Sequence, residues 1–182
     1  MSSQQLLDVL NEILDISQIQ SGNYDLKAEA FHLPGLMEEV MERMLPEIQQ
    51  KKLTLNFRPM QLRHEEVLGD RERLMQVFLN ILGNSVKYTP AGGQTEVSVT
   101  EHESGEHGCS SYDFTFQDNG IGMEEGFIPH IFEPFSRAED PRVGNIDGVG
   151  LGMSIAQNIV RMMGGAISVR SVPEQGSQFV VT

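Results

Sequence analysis

Two glycine-rich turns constrain this chain more than any other feature. The first reads Asp118-Asn119-Gly120-Ile121-Gly122-Met123 and the second Gly148-Val149-Gly150-Leu151-Gly152. Glycine takes backbone dihedrals that other residues resist, and it lets a main chain approach a ligand closely. Between the turns runs a long polar loop that opens Phe132-Glu133-Pro134-Phe135, and loops of that length are usually functional or disordered. Upstream lies a helix carrying Asn80, Asn84, Lys87 and Tyr88. Two such turns beside a helix bearing amides and a lysine point to a polyphosphate ligand with a metal.

That helix starts at Asp70, a suitable N-cap, and runs to about Tyr88. Leu74, Val77, Phe78, Ile81, Leu82 and Val86 form its apolar face, while Asn80, Asn84 and Lys87 share a second face. An amide oxygen is a hard ligand suited to Mg²⁺, which keeps several waters and few protein contacts. A lysine meets phosphate as a point charge, and Tyr88 offers an aromatic face to a base. The plain alternative is a solvated polar face. Asp118 ends a strand over 111–117, where a carboxylate can accept a hydrogen bond from an exocyclic amine such as that of adenine. Asp-Asn-Gly is also a common turn with no further role. The second glycine turn directly precedes a helix over 154–163, whose first amides favour phosphate. A dinucleotide fingerprint fails, because Met153 holds the sixth position of Gly-x-Gly-x-x-Gly and no strand precedes Gly148. No lysine lies near these glycines, so there is no Walker sequence.

The remaining elements set the fold class. Leu6, Leu7, Val9, Leu10, Ile13, Leu14, Ile16 and Ile19 predict a helix over 3–20 with a wide apolar stripe, which wants a partner helix or packs back on the main domain. A short strand at 31–33 leads into a helix with Pro34 in its first turn. Leu36, Met37, Val40, Met41, Met44, Leu45 and Ile48 continue it, with Pro46 expected to kink or end it. Leu53 to Phe57 alternates as a strand with one face buried, and Val67-Leu68 makes another short strand. Strands at about 94–102 and 111–117 flank a polar hairpin loop. A short helix is expected over 124–131. Gly164-Gly165 stops the last helix, and strands at 166–172 and 177–182 close the chain. Helices mixed with hairpins, without strict alternation, predict an α+β sandwich with helices on one face of a mixed sheet.

The formal net charge is −13, from 13 basic and 26 acidic residues. That acidity argues against nucleic acid as a partner. A polyanion would need a local positive site, for which Lys87, Arg137 and Arg142 are the candidates. The lone Cys109 forms no intramolecular disulfide, and no Cys/His cluster has zinc spacing. A reducing cytoplasm fits. No apolar run reaches the roughly 18 residues of a membrane span, and no signal peptide opens the chain. His64, beside Glu65, is a weak phosphoacceptor candidate, since nothing nearby supplies a base with an orienting group.

Taken together, the motifs resemble those of the catalytic, ATP-binding domain of a bacterial-type sensor histidine kinase. Asn80-x-x-x-Asn84-x-x-Lys87-Tyr88 is similar to the family's N box, Asp118-x-Gly120-x-Gly122 to its first glycine box, and Phe132-x-x-Phe135 to its F box. Gly148-x-Gly150-x-Gly152 is similar to its second glycine box, and Gly176-Ser177-x-Phe179 to its closing element. The resemblance covers residues 30–182. It implies the Bergerat fold, a two-layer sandwich whose mixed sheet is mostly antiparallel, with ATP and Mg²⁺ as cofactors. Asn80 and Asn84 would face the triphosphate and its Mg²⁺, with Asn84 the foremost metal ligand. Lys87 would approach the phosphates, Tyr88 would lie against the adenine, and Asp118 would read the adenine amine. Gly120, Gly122, Gly148, Gly150, Leu151 and Gly152 would frame the pocket and a mobile lid anchored by Phe132 and Phe135. Arg137 would reach a phosphate or the substrate helix, so that Asn80, Lys87 and Arg137 carry the catalysis.

Residues 1–22 resemble the second helix of the dimerisation and phosphotransfer hairpin. The phosphoacceptor helix itself is absent from the sequence, and Val180-Val181-Thr182 falls inside what should be the last strand. The expectation is therefore a fragment of a larger, homodimeric kinase. Its partners would be the hairpin and a response regulator receiver domain, and any membrane anchor would lie elsewhere in the parent. Two rival readings differ in class. A hydrolysing ATPase of the same superfamily would carry a glutamate base where Asn80 stands, and a degenerate scaffold would not bind nucleotide.

Overall fold

Alternation builds the main sheet. Thr95, Val97 and Val99 are buried on one strand, and Phe114, Phe116 and Asp118 on the next. The computed structural model describes residues 10–11, 13–14, 16–17, 25–103, 109–138 and 148–182. Its strands are β1 Glu29–His32, β2 Thr54–Phe57, β3 Glu66–Gly69, β4 Gln94–Glu103, β5 Ser110–Asp118, β6 Ile167–Val172 and β7 Gly176–Val181. Its helices are α1 Leu33–Gln50, α2 Arg71–Tyr88 and α3 Gly152–Met162. The five-stranded sheet runs β2-β4-β5-β7-β6, with β2 parallel to β4 and every other pair antiparallel. β1 and β3 pair separately, antiparallel.

The predicted α+β sandwich is the observed one. Helix α2 lays its apolar face on the sheet, with the Phe78 ring 4.5 Å from Phe114 and 5.7 Å from Phe116, centroid to centroid. Met75, Val77, Ile81, Leu82 and Val86 complete that buried face, whereas Leu74 is only half-buried at its edge. Met153, Ile155, Ala156, Ile159 and Val160 bury the face of α3, and Leu36, Met37, Val40, Met44 and Ile48 that of α1. Truncating a ring such as Phe78 should cost about 3–5 kcal/mol.

Several local expectations are corrected. Pro46 neither ends nor splits α1, which runs on to Gln50. The bond a proline forfeits is to the carbonyl four residues back; that residue, Glu42, is exposed, while Met44 and Ile48 hold the helix to the core on either side. Leu45 is exposed and Met41 half-buried. β2 buries no full face. It is an edge strand, and only Leu55 is half-buried. The helix expected over 124–131 is a single 3-10 turn, Ile128–His130, with no buried side chain to anchor a longer one. α3 begins two residues early, at Gly152. Of the expected N-terminal helix, Leu10, Ile13 and Leu14 are helical and exposed, and Ile16 packs against the core. Most of 3–20, the hairpin tip at 104–108 and the loop 139–147, including Arg142, lie outside the described residues.

Away from the helices, Glu101 fastens the segment between β2 and β3 to the sheet. Its side chain is 3% exposed. It accepts from the Arg63 and His64 amides at 2.6 and 2.8 Å and pairs with His64 Nδ1 at 2.6 Å. His64 is thus engaged structurally. Hydrogen bonds, first from the His64 ring and then from Ser110, hold the Glu101 carboxyl down at about 2, below its ordinary 4.5. A depressed carboxylate adds stability that is fully present above the unfolded value and is lost as pH falls through the folded one. The stability gap between wild type and Glu101→Gln should therefore be constant above about pH 5 and shrink steadily towards pH 2. Urea unfolding across that range checks it, and a gap independent of pH would contradict the assignment.

Candidate functional site

A cleft of about 1090 Å³ opens beside α2. Asn80, Asn84, Lys87, Tyr88, Asp118, Gly122, Arg137, Gly148, Gly150, Leu151 and Gly152 all line it, so residues dispersed over more than seventy positions meet in one place. Three of the expected residues do not line it. Gly120 lies behind Asp118 and donates its amide to that carboxylate at 2.9 Å. Phe132 is half-buried against the core, and Phe135 is 63% exposed. Leu151 reaches the cleft from within the core, being 1% exposed.

Asp118 forms the floor. Its Oδ1 takes the Gly120 amide and, at 3.2 Å, the amide of Ser177 from β7. Burial pushes the Asp118 carboxyl above its ordinary 3.8, and those two amides, with the Ser85 hydroxyl on α2, pull it partly back. At the same floor the buried Thr95 hydroxyl, opposite Asp118 on β4, has no hydrogen-bond partner among the described residues.

The first glycine turn is held by the β6–β7 hairpin. Glu174 donates its amide to the Ile121 carbonyl at 2.8 Å, and Met123 donates its amide to Ser171 Oγ at 2.9 Å. Gly122 has φ +66, and a Cβ there would overlap the Val172 carbonyl. The second glycine turn is tied to two other elements. Asn80 Nδ2 donates to the Gly152 carbonyl at 3.0 Å. The Phe135 amide donates to the Gly150 carbonyl at 2.9 Å. Phe135 itself sits at φ +63, a conformation costing about 1–3 kcal/mol for a side chain of that size.

Lys87 extends along the cleft, its Nζ 5.4 Å from the Tyr88 ring centroid and packed on Gly148. Burial pushes the Tyr88 phenol up, opposed by the Arg137 charge, so it stays neutral at neutral pH. Sequence reasoning missed Lys51, Ser85, Thr95 and Ser171. Lys51 ends α1 as the first of two lysines, which reads as a solvated charge. In the structure its ammonium donates to the carbonyls of Val86, Lys87 and Thr89, each at 2.8 Å. Burial lowers the Lys51 ammonium below the ordinary lysine range, with Glu47 opposing. Beyond Asp118 itself, only the closing Gly176-Ser177 pair carried a sequence signal for the floor.

The profile of the family described as "Histidine kinase-, DNA gyrase B-, and HSP90-like ATPase" matches residues 69–182. The chain belongs to this family. Within it, the chain is an ATP-binding catalytic domain of the sensor histidine kinase type. It is 32% identical over 184 residues to the sensor protein GacS of Pseudomonas syringae pv. syringae, covering 100% of this chain and 20% of GacS. Full-length ShkA, solved in complex with AMPPNP, superposes with a TM-score of 0.80 at 28% identity, over 97% of this chain and 35% of ShkA. The histidine kinase ThkA, solved in complex with the response regulator protein TrrA, matches in fold with a TM-score of 0.71 at 21% identity, over 98% of this chain and 48% of that one. The chain thus spans about a fifth of the length of GacS.

Two stability outcomes follow from this geometry. An acid whose folded value is raised binds its proton more tightly when folded, so its ionised form costs stability, increasingly as pH rises through the folded value. The stability of Asp118→Asn relative to wild type should therefore rise between pH 4 and pH 7. Urea unfolding at the two pH values checks this, and a flat or falling difference would count against a buried carboxylate at the floor. Among the glycines, Gly122→Ala should destabilise by about 2–4 kcal/mol, from its positive φ and the Val172 clash. Gly83→Ala, where a Cβ meets nothing within 4 Å, should stabilise α2 by roughly 0.5–1 kcal/mol. Thermal unfolding of the pair gives opposite signs if the two environments are as described.

Proposed function

We propose that the cleft binds Mg-ATP and presents its γ-phosphoryl to a histidine on a partner helix, as the catalytic part of a two-component kinase. The observation that carries this reading is the convergence of Asp118, the Asn80/Asn84/Lys87 face and both glycine turns on one cleft. Asp118 would accept from the adenine amine. The unpartnered Thr95 hydroxyl leaves hydrogen-bonding capacity at the floor for the rest of that edge, directly or through water. Tyr88 would pack on the base, and Lys87, with Arg137, would meet the phosphates.

The amide donors fit a magnesium ion. Asn80 gives its N–H to Gly152, which leaves Oδ1 as an acceptor, and Asn84 is half-buried on the same wall. Among the described residues no group of three or more His, Cys, Asp or Glu could hold a metal. The ion would therefore be shared between Asn84, Asn80 and the phosphates, with water filling the remaining positions. When bound, Mg²⁺ neutralises charge on the transferring phosphoryl group. The protein's own part is positioning and electrostatics. An amide at Asn80 takes no proton from water at neutral pH, which favours transfer over hydrolysis.

Residues 1–22 would belong to the dimerisation and phosphotransfer hairpin of the parent, which fits the exposure of Leu10, Ile13 and Leu14. The parent would act as a homodimer on a response regulator receiver domain. Among the described residues no helix is long and apolar enough to cross a membrane. A catalytic domain facing the cytoplasm, in a parent with or without an anchor, suits the proposed chemistry.

The test is a titration with a non-hydrolysable ATP analogue, with and without Mg²⁺. Binding should depend on Mg²⁺, and Asp118→Asn and Asn84→Ala should each weaken it about tenfold or more, the loss of one charge-assisted or metal contact. The chain alone should incorporate no acid-labile phosphate from ATP, and should phosphorylate a separately supplied phosphoacceptor hairpin. No binding by wild type would leave a scaffold role in its place.

A further inference from the structure

An α-helix ends in carbonyls that lack intrahelical donors. At the C-terminus of α2 each of these has a partner. Ser85 O accepts from Thr89 Oγ1 at 2.6 Å, and Tyr88 O from the Ile121 amide at 3.2 Å. The carbonyls of Val86, Lys87 and Thr89 all accept from Lys51 Nζ at 2.8 Å. An ammonium has three protons, and these three bonds occupy them. Lys51 also accepts the Gly92 amide on its own carbonyl at 3.2 Å, so the segment after α2 is bound to the same residue.

This end of α2 carries Lys87 and Tyr88, and it lines the cleft. A helix C-terminus bears a partial negative charge, which is unfavourable beside a polyanion. Lys51 therefore acts in two ways at once. It fixes the last turn, and it sets a positive charge against the negative helix end. Lys51 lines the edge of the cleft, but its ammonium protons are committed to these three carbonyls. We propose that Lys51 is a positioning residue for nucleotide binding, acting through the C-terminal carbonyls of α2 on Lys87 and Tyr88 rather than by donating to the nucleotide. The inference rests on the Mg-ATP reading of the cleft.

The test compares wild type, Lys51→Met, Lys51→Arg and Met44→Ala. Met44 is a core residue of the same helix that lines no part of the cleft, so it serves as a control for stability alone. Affinity for a non-hydrolysable Mg-ATP analogue is measured at a temperature where circular dichroism shows each variant folded, and melting temperatures are measured separately. Lys51→Met should bind about tenfold more weakly, Lys51→Arg should regain most of that loss, and Met44→Ala should melt earlier yet bind as wild type. If Lys51→Met does not fold, Lys51→Gln, which keeps donors but no charge, should show the same direction of loss. A folded Lys51→Met, or the Gln variant in its place, that binds as wild type overturns the inference alone. So does an affinity loss that follows melting temperature across all variants, Met44→Ala included. A wild-type chain that binds no analogue overturns the Mg-ATP reading, and this inference with it.

Discussion

The burial of one face of α2 decides most of what this molecule can do. Phe78 sits against Phe114 and Phe116, and with Val77, Ile81, Leu82 and Val86 it fixes the rotation of the helix about its axis. Residues three and four apart share a face, so once that rotation is set, Asn80, Asn84 and Lys87 can only face the cleft. A rigid scaffold holding polar groups at one edge of its core suits a reaction that needs positioning and charge neutralisation more than a protein nucleophile.

The cleft depends equally on contacts between parts of the chain far apart in sequence. The hairpin between β6 and β7 grips the first glycine turn through Glu174, Ser171 and the Gly122–Val172 contact, and Ser177 donates to Asp118. Asn80 reaches the second turn through Gly152, and Phe135 reaches it through Gly150. Each glycine turn is thus pinned from outside as well as shaped by its own residues. A floor built this way carries a cost, since Asp118 is buried with its carboxyl raised by desolvation. Stability is given up at the point where the proposed nucleotide would be recognised.

Much of this was legible from the residues. The apolar spacing of α2, the Asp70 cap and the alternation in β4 and β5 are local patterns whose period matches the element formed. The two glycine turns were legible because positive φ and close approach demand glycine, as Gly122 shows. What failed was also local. Pro46 lies inside α1 because packing on both sides outweighs one lost bond. The segment 124–131 lacks buried anchors and forms only a 3-10 turn. Lys51 gave no signal, because its partners are main-chain carbonyls, which every residue possesses and no side-chain pattern reveals.

By itself, the sequence determined most of the elements, the fold class and the chemical types gathered for the site, since hydrophobic period and glycine placement are properties of short stretches. Tertiary structure alone decided that Lys51 closes the end of α2, that Thr95 stays unpaired beside Asp118, and that Phe135 is held at positive φ by Gly150. These are hydrogen-bond and steric relations between segments tens of residues apart. Their energies depend on distances that only the packed chain sets.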